Sequence, residues 1–342
     1  MSFKHNLFVG RALSLSLTLF IALTVFFAAC KSDDPTTPTA QTIMEQINGN
    51  SNFTLLRAAL VKAGLDGTLG GSGTYTLLAP TNEAFNAFGL TSEAVIALAP
   101  ADLVKSVLQY HVLTTKLESS AITSTTNTAQ PTQFTAVAPG NSVYFTKPVA
   151  VTTATASGTT ISVNGAYIQQ GDVQASNGVI HVINRILLPP IYGNIPNTIG
   201  SIPSIYALLA PSAGISFKLL QQAVTRAGIG GALTGTTPIT VFAPTDNAFR
   251  AATYDSTKIA NTAPATLATV LGYHVVSGRV YTPIVSNGAS LTNAAGTLTI
   301  GKSTTAITVT GRGNTGTASN IIGPDVTATN GVIHIIDRLL IP

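Results

Sequence analysis

Asn177-Gly178-Val179-Ile180-His181-Val182-Ile183-Asn184-Arg185-Ile186-Leu187-Leu188-Pro189 returns, little changed, as Asn330-Gly331-Val332-Ile333-His334-Ile335-Ile336-Asp337-Arg338-Leu339-Leu340-Ile341-Pro342. Asn-Gly ahead of a β-branched apolar run predicts a type I′ turn, with φ > 0 at both central residues, feeding a buried strand. The proline that closes each copy removes a backbone donor and ends the pairing. His181 and His334 are 153 residues apart. That spacing is too long for a solenoid repeat and suits two tandem domains.

Other elements recur in the same order. Phe53, Leu56 and Leu60, closed by Gly64, form an amphipathic helix pattern answered by Phe217, Leu220 and Val224, closed by Gly228. Next, Tyr75-Thr76-Leu77-Leu78-Ala79-Pro80-Thr81 and Ile239-Thr240-Val241-Phe242-Ala243-Pro244-Thr245 each predict a strand that stops at proline. Thr81 and Thr245 then N-cap a short helix. Further helices after Pro100 and Pro264 run into Tyr110-His111 and Tyr273-His274, and Thr/Val/Ile alternation follows until the signature strand. Helices first and strands later predict an α+β fold in each copy. The expected organisation is a leader over 1–29, a tether over 30–40, domains over 41–190 and 203–342, and a Pro- and Gly-punctuated connector over 191–202.

The leader has Lys4 and Arg11 ahead of an apolar run from Ala12 to Phe27, then Ala28-Ala29-Cys30. The run is short for a membrane span and right for a secretory signal. Cys30 is the only cysteine, so no internal disulfide forms. Its place after Ala-Ala resembles the lipobox of bacterial lipoproteins, which implies lipidation at Cys30 and a membrane anchor. An ordinary secretory signal is the alternative. Lys31-Ser32-Asp33-Asp34 resembles an acidic signal for display at the outer membrane surface, with a solvated tether as the other reading, and Pro35 to Thr39 reads as an extended linker. Removing Lys4 and Arg11 from the count leaves 15 basic against 13 acidic groups. No basic cluster appears, so nucleic acid is not an expected partner.

The corner motif ending Ala-Pro-Thr, the Tyr-His pair and the Asn-Gly-Val-Ile-His strand, in this order and twice, resemble the fasciclin (FAS1) domain family over about 290 residues. The resemblance implies a wedge-shaped β-sandwich with helices along one side, and surface adhesion or matrix binding without catalysis. Pro80, Thr81, His181, Pro244, Thr245, His334 and Asp337 are its structural signature positions. Asn184 stands where the second copy has Asp337, so an ion pair made by that acid would be missing from the first domain.

Tyr110, His111, Tyr273 and His274 match a family motif linked to receptor binding in animal members, with packing at a helix end as the other reading. Asp325 and Val326, after Pro324, resemble a Pro-Asp-Ile-type adhesion motif, with local turn structure as the other reading. Alternation places His181 and His334 among apolar neighbours, as core histidines and not metal ligands. Gly311-Arg312-Gly313-Asn314-Thr315-Gly316 spells a dinucleotide fingerprint, yet no helix pattern follows, so it reads as a turn in a longer hairpin tip. Expected partners are a membrane, through the anchor, and an unidentified surface protein or polysaccharide. No cofactor is expected. An envelope accessory role, capturing polysaccharide or a hydrophobic ligand, is the competing reading.

Overall fold

The computed structural model describes residues 40–135, 139–147, 161–209, 214–314 and 316–342, the side chains of 205–209 excepted. The leader, Cys30 and the tether up to residue 39 lie outside the described residues. Residues 40–342 form one compact unit with two halves of matching topology.

The first half runs α1 (Ile43–Asn48), α2 (Thr54–Ala63), α3 (Asp66–Gly70), β1 (Tyr75–Pro80), α4 (Asn82–Ala87), α5 (Glu93–Leu98) and α6 (Ala101–Gln109). Strands β2 (Val112–Leu113), β3 (Thr128–Pro131), β4 (Ser142–Thr146), β5 (Ser162–Val163), β6 (Ala166–Ala175) and β7 (Gly178–Ile183) complete it. The second half has α7 (Ile195–Leu209), α8 (Lys218–Ala227), β8 (Ile239–Pro244), α9 (Asp246–Ala251), α10 (Ser256–Asn261) and α11 (Pro264–Tyr273). Its strands are β9 (Val275–Ser277), β10 (Ser290–Asn293), β11 (Gly296–Lys302), β12 (Ile307–Thr310), β13 (Ser319–Ala328) and β14 (Gly331–Ile336).

Each half holds a seven-stranded sheet, ordered β2-β1-β7-β6-β5-β4-β3 and β9-β8-β14-β13-β12-β11-β10. The signature strand sits inside: β7 pairs parallel with β1 and antiparallel with β6, and β14 does the same with β8 and β13. Strands β6 and β13 are ten residues long, with two register shifts against their partners. Such bulges bend a strand. Two layers result: Leu78, Phe145, Val163, Ile168 and Ile183 share a core between sheet faces, while Ile180 and Val182 pack with Leu56, Leu60 and Phe85 of the helical layer. All six residues of β7 and of β14 are buried.

The strand-to-helix corners form as predicted. Thr81 and Thr245 cap α4 and α9 by accepting the N–H of Ala84 and Ala248, and Phe85 and Phe249 fold back into the two cores. Gly64 and Gly228 end α2 and α8 in the left-handed conformation.

Two expectations change. The Asn-Gly of the signature is not a type I′ turn, because neither Asn177 nor Asn330 has positive φ. Asn177 instead accepts the Ile43 N–H (2.9 Å) and donates to the carbonyls of Leu69 and Gly71, and Asn330 repeats this with Ile195, Leu233 and Gly235. Each asparagine ties the first helix of its half to the signature strand. The glycines make room: a Cβ on Gly178 would stand 1.9 Å from the Tyr75 carbonyl oxygen, and one on Gly331 1.9 Å from that of Ile239. A type I′ arrangement belongs instead to Asn164-Gly165 between β5 and β6, at φ 44° and 84°.

The connector over 191–202 also holds more structure than its composition suggested. Helix α7 starts at Ile195, and Ile195, Ile199 and Ile202 are buried in the core of the second half. Their i, i+4, i+7 spacing is an amphipathic stripe, hidden by Pro196 and Pro203.

Gly178→Ala should lower stability by roughly 3 kcal/mol or more, the upper range for overpacking. Gly64→Ala, at φ 67° with open space around it, should cost about 1–2 kcal/mol for the left-handed backbone alone. Urea unfolding of both variants measures the contrast, and equal losses would contradict the close-approach role.

Candidate functional site

The Tyr-His pairs lie in the interior. Tyr110, His111 and Tyr273 are fully buried and His274 is 2% exposed, so none presents a surface to a partner. The Tyr110 hydroxyl donates to the Ser142 carbonyl and accepts from Asn164 Nδ2, while that of Tyr273 donates to the Thr297 carbonyl and accepts the Arg312 N–H. His111 Nδ1 donates to the Val107 carbonyl at 2.7 Å and its Nε2 accepts the Leu187 N–H at 2.9 Å. His274 repeats this with Val270 and Leu340. Each ring thus ties the end of a helix to the segment leaving the signature strand. The receptor-binding reading of these four residues gives way to packing.

His181 and His334 are the opposite tautomer. Each Nε2 donates to a carbonyl, of Leu117 or Val280, and each Nδ1 accepts the N–H of an aspartate, Asp172 or Asp325. Both aspartates have positive φ, at 58° and 64°, so each histidine secures a bulge that L-residues rarely adopt. Ser119, Asp172 and His181 lie together, but the serine hydroxyl bonds to the aspartate and both ring nitrogens are occupied. The imidazole does not reach the hydroxyl, so this is not a nucleophile-base-acid relay. Among the described residues no three His, Cys, Asp or Glu side chains cluster as metal ligands would.

Asp325 and Val326, the adhesion-like pair, are placed by β13. Asp325 has a fully buried side chain that accepts the Thr282 N–H at 2.7 Å, the Thr282 hydroxyl at 2.5 Å and Arg185 Nη1 at 2.8 Å. Arg185 comes from the first half and Asp325 from the second, so the carboxylate is a contact between the halves and not a free recognition loop. Its 4.0 Å approach to His334 Nδ1 is no ion pair, since that nitrogen accepts the Asp325 N–H and carries no proton. Val326 packs against the second core.

The rest of this contact was not read from the sequence. Arg279 is 7% exposed, donates to the carbonyls of Ala328, Thr329 and Gly331, and stacks 4.2 Å over the Tyr144 ring of the first half. Asn127 donates to the Arg279 carbonyl at 2.6 Å. Tyr144, Tyr281 and Val332 form a small buried cluster, and Gly165 lies so close to Asp325 that a Cβ would be 2.4 Å from its side chain. Divergence between repeats was the available signal. Lys116 and Glu118 stand where the second half has Arg279 and Tyr281, and Thr299 stands where the first has Tyr144.

Asp337 makes no ion pair among the described residues. Its carboxylate accepts from the Asn320 N–H, Asn320 Nδ2 and Ser319 Oγ, and Asn184 Oδ1 accepts the Tyr167 N–H in the same way. Only a side-chain oxygen is needed there, so Asn184 loses nothing essential. The connection between β12, which ends at Thr310, and β13, which starts at Ser319, is longer than the two-residue Asn164-Gly165 turn of the first half.

Two α+β modules with their polar signature residues turned inward define a class of paired domains without an assembled catalytic constellation among the described residues. The chain belongs to the fasciclin domain family, whose model matches residues 51–189 and 216–342. It is 34% identical over 156 residues to Protein sll1483 of Synechocystis sp., covering 45% of this chain and 77% of that one. It is 32% identical over 154 residues to the transforming growth factor-beta-induced protein ig-h3 of Sus scrofa, covering 45% of this chain and only 20% of that relative's length. The solved FAS1 domain pair of the insect cell adhesion molecule Fasciclin I shares 18% identity, with a TM-score of 0.39 over 87% of this chain and 96% of that one.

Acid should unfold the pair through its histidines. Burial lowers the pKa of His111 and of His274 to about 4, and lowers those of His181 and His334 as well. Unfolded histidine titrates near 6.5, so below that pH the unfolded chain binds protons that the folded one refuses. This stability is complete above about pH 7 and is lost as pH falls toward 4, by roughly 3 kcal/mol for each of His111 and His274. Melting temperatures across pH 4–7.5 should show that fall, and His111→Gln should flatten it. A profile unchanged by the substitution would remove His111 from the account.

Loosening the contact between the halves is a separate test. Arg185→Ala leaves the buried Asp325 carboxylate without its cation, which costs about 3–5 kcal/mol for a buried pair and less here because Arg185 is 37% exposed. Limited proteolysis between the halves should quicken while each half keeps its secondary structure. Unaltered proteolysis would mean the ion pair is dispensable.

Proposed function

We propose that this chain is an exported lipoprotein, anchored through Cys30 at the outer membrane surface, that acts as a non-catalytic adhesion or matrix-binding protein. The observation that carries the reading is the double match to a domain found in adhesion proteins. The inward commitment of every mature histidine supports it, since His111, His181, His274 and His334 all spend both ring nitrogens on backbone groups. Binding therefore falls to loops and faces outside the signature. Two modules on one tether raise the effective concentration of a second contact once the first has formed, which suits weak binding to a repetitive surface. The leader pattern, with basic residues, an apolar run and Ala28-Ala29-Cys30, supports export and lipidation.

Cys30→Ser should move the protein from the membrane fraction to the soluble extracellular or periplasmic fraction. Cells carrying that variant, or none of the protein, should adhere less to matrix-coated surfaces. Membrane retention of the variant would end the lipid-anchor reading, and unchanged adhesion of protein-free cells would end the adhesion reading.

A further inference from the structure

The helical layers of the two halves match in topology but not in surface chemistry. In the first half Val61 on α2, Val95 and Leu98 on α5, and Leu103 on α6 are exposed, Leu98 to 86% and Val61 to 55%. Helix α2 packs on both α5 and α6, so the four residues belong to one layer. The second half has Thr225, Lys258, Asn261 and Thr266 at the matching positions, aligned by Gly64 with Gly228, by the α5 and α10 N-caps Ser92 and Asp255, and by Tyr110 with Tyr273. One fold thus carries aliphatic residues in one copy where the other carries polar ones. The fold does not require the exposed aliphatics. Beside them lies an open groove of about 850 Å³, lined by Met44, Val61 and Ala97 and by the charged Arg57, Lys62 and Glu93.

We propose that this α2–α5–α6 face of the first domain rests on the lipid bilayer. The inference depends on the Cys30 anchor proposed above. From Cys30 to Ala40 the chain has about ten residues, a reach of at most roughly 36 Å. The chain enters the compact unit at α1, and Met44 and Asn48 of α1 line the groove, so the tether joins the unit beside this face. The first domain is the one a short tether holds near the membrane, and of the two helical layers it is the one that exposes aliphatic residues at these four positions. Charge favours an uncharged lipid surface. Arg57 pairs with Glu93 at 3.5 Å, Lys62 donates to the Ala97 carbonyl, and Asp66, Asp102 and Lys105 add charges of both signs. A face of balanced charge with exposed aliphatics gains no net attraction from an anionic surface and suits zwitterionic headgroups. Its consequence is orientation: acyl chains hold the protein at the membrane, and the face fixes which side of the pair looks outward.

The test uses the full lipidated protein in phosphatidylcholine vesicles. With Cys30 acylated, Leu98→Cys supplies a unique thiol for an environment-sensitive fluorophore, and Asn261→Cys supplies the control. Flotation with the vesicles and a blue-shifted, iodide-protected signal at 98 but not at 261 is the expected result. Flotation with a water-exposed signal at 98 overturns the proposal and leaves the anchor standing. Failure to float removes the anchor reading and the proposal with it. A shift at 98 that depends on protein concentration and not on lipid would show a second copy covering the face, and overturns the proposal too.

Discussion

The parallel pairing of the first and last strands of each half is the constraint on which the rest depends. Strands β1 and β7, far apart in sequence, lie side by side inside the sheet, second and third in its order, and β7 is buried along its whole length. A parallel pair has no tight turn to set its register. Register is fixed at one end instead, where Gly178 lets the Tyr75 carbonyl approach and Asn177 gathers the first helix. The second half repeats the device with Gly331, Ile239 and Asn330. Helical layer, strand pair and second sheet layer are all positioned from that junction.

Buried polar groups then act as fasteners. A histidine has one donor and one acceptor when neutral, which lets a single ring join two backbone segments. Each half uses two rings in opposite tautomers, one at the helix end and one at the bulge. Leaving either partner unsatisfied in the interior costs about 1–3 kcal/mol. The same saturation commits chemically suggestive side chains such as His111, His181, His274 and His334 to holding the fold. Their lone pairs and protons are already assigned.

Much of this was legible in the sequence, for reasons visible in particular residues. Period-2 alternation around His181 gave a core histidine, and Pro80-Thr81 gave a strand end and a cap, because these features depend on local geometry alone. The turn type at Asn177-Gly178 was misread because the asparagine works through a side chain reaching helix α1, 134 residues away. Helix α7 was hidden because Pro196 and Pro203 mask a stripe that tertiary burial rewards. Asp325 drew notice as a motif but has a different role, since neither its positive φ nor its pairing with Arg185 can be read from neighbours in the chain.

The contact between the halves shows how duplicated modules stop being interchangeable. It is heterologous: Tyr144, Gly165 and Arg185 of one copy meet Arg279, Tyr281 and Asp325 of the other. Heterologous contacts can in principle continue into a further copy. Here the two faces left free keep Asp172 and Arg338, the counterparts of Asp325 and Arg185, but differ in the stacking residues. The face equivalent to Arg279 and Tyr281 carries Lys116 and Glu118, which pair with each other at 3.0 Å. The face equivalent to Tyr144 carries the exposed Thr299. Arg338, matching Arg185, therefore lacks the tyrosine that completes the seat in the first half. The Arg279–Tyr144 stack thus marks the junction between the halves, and divergence between the repeats makes its residues unlike their counterparts on the other faces.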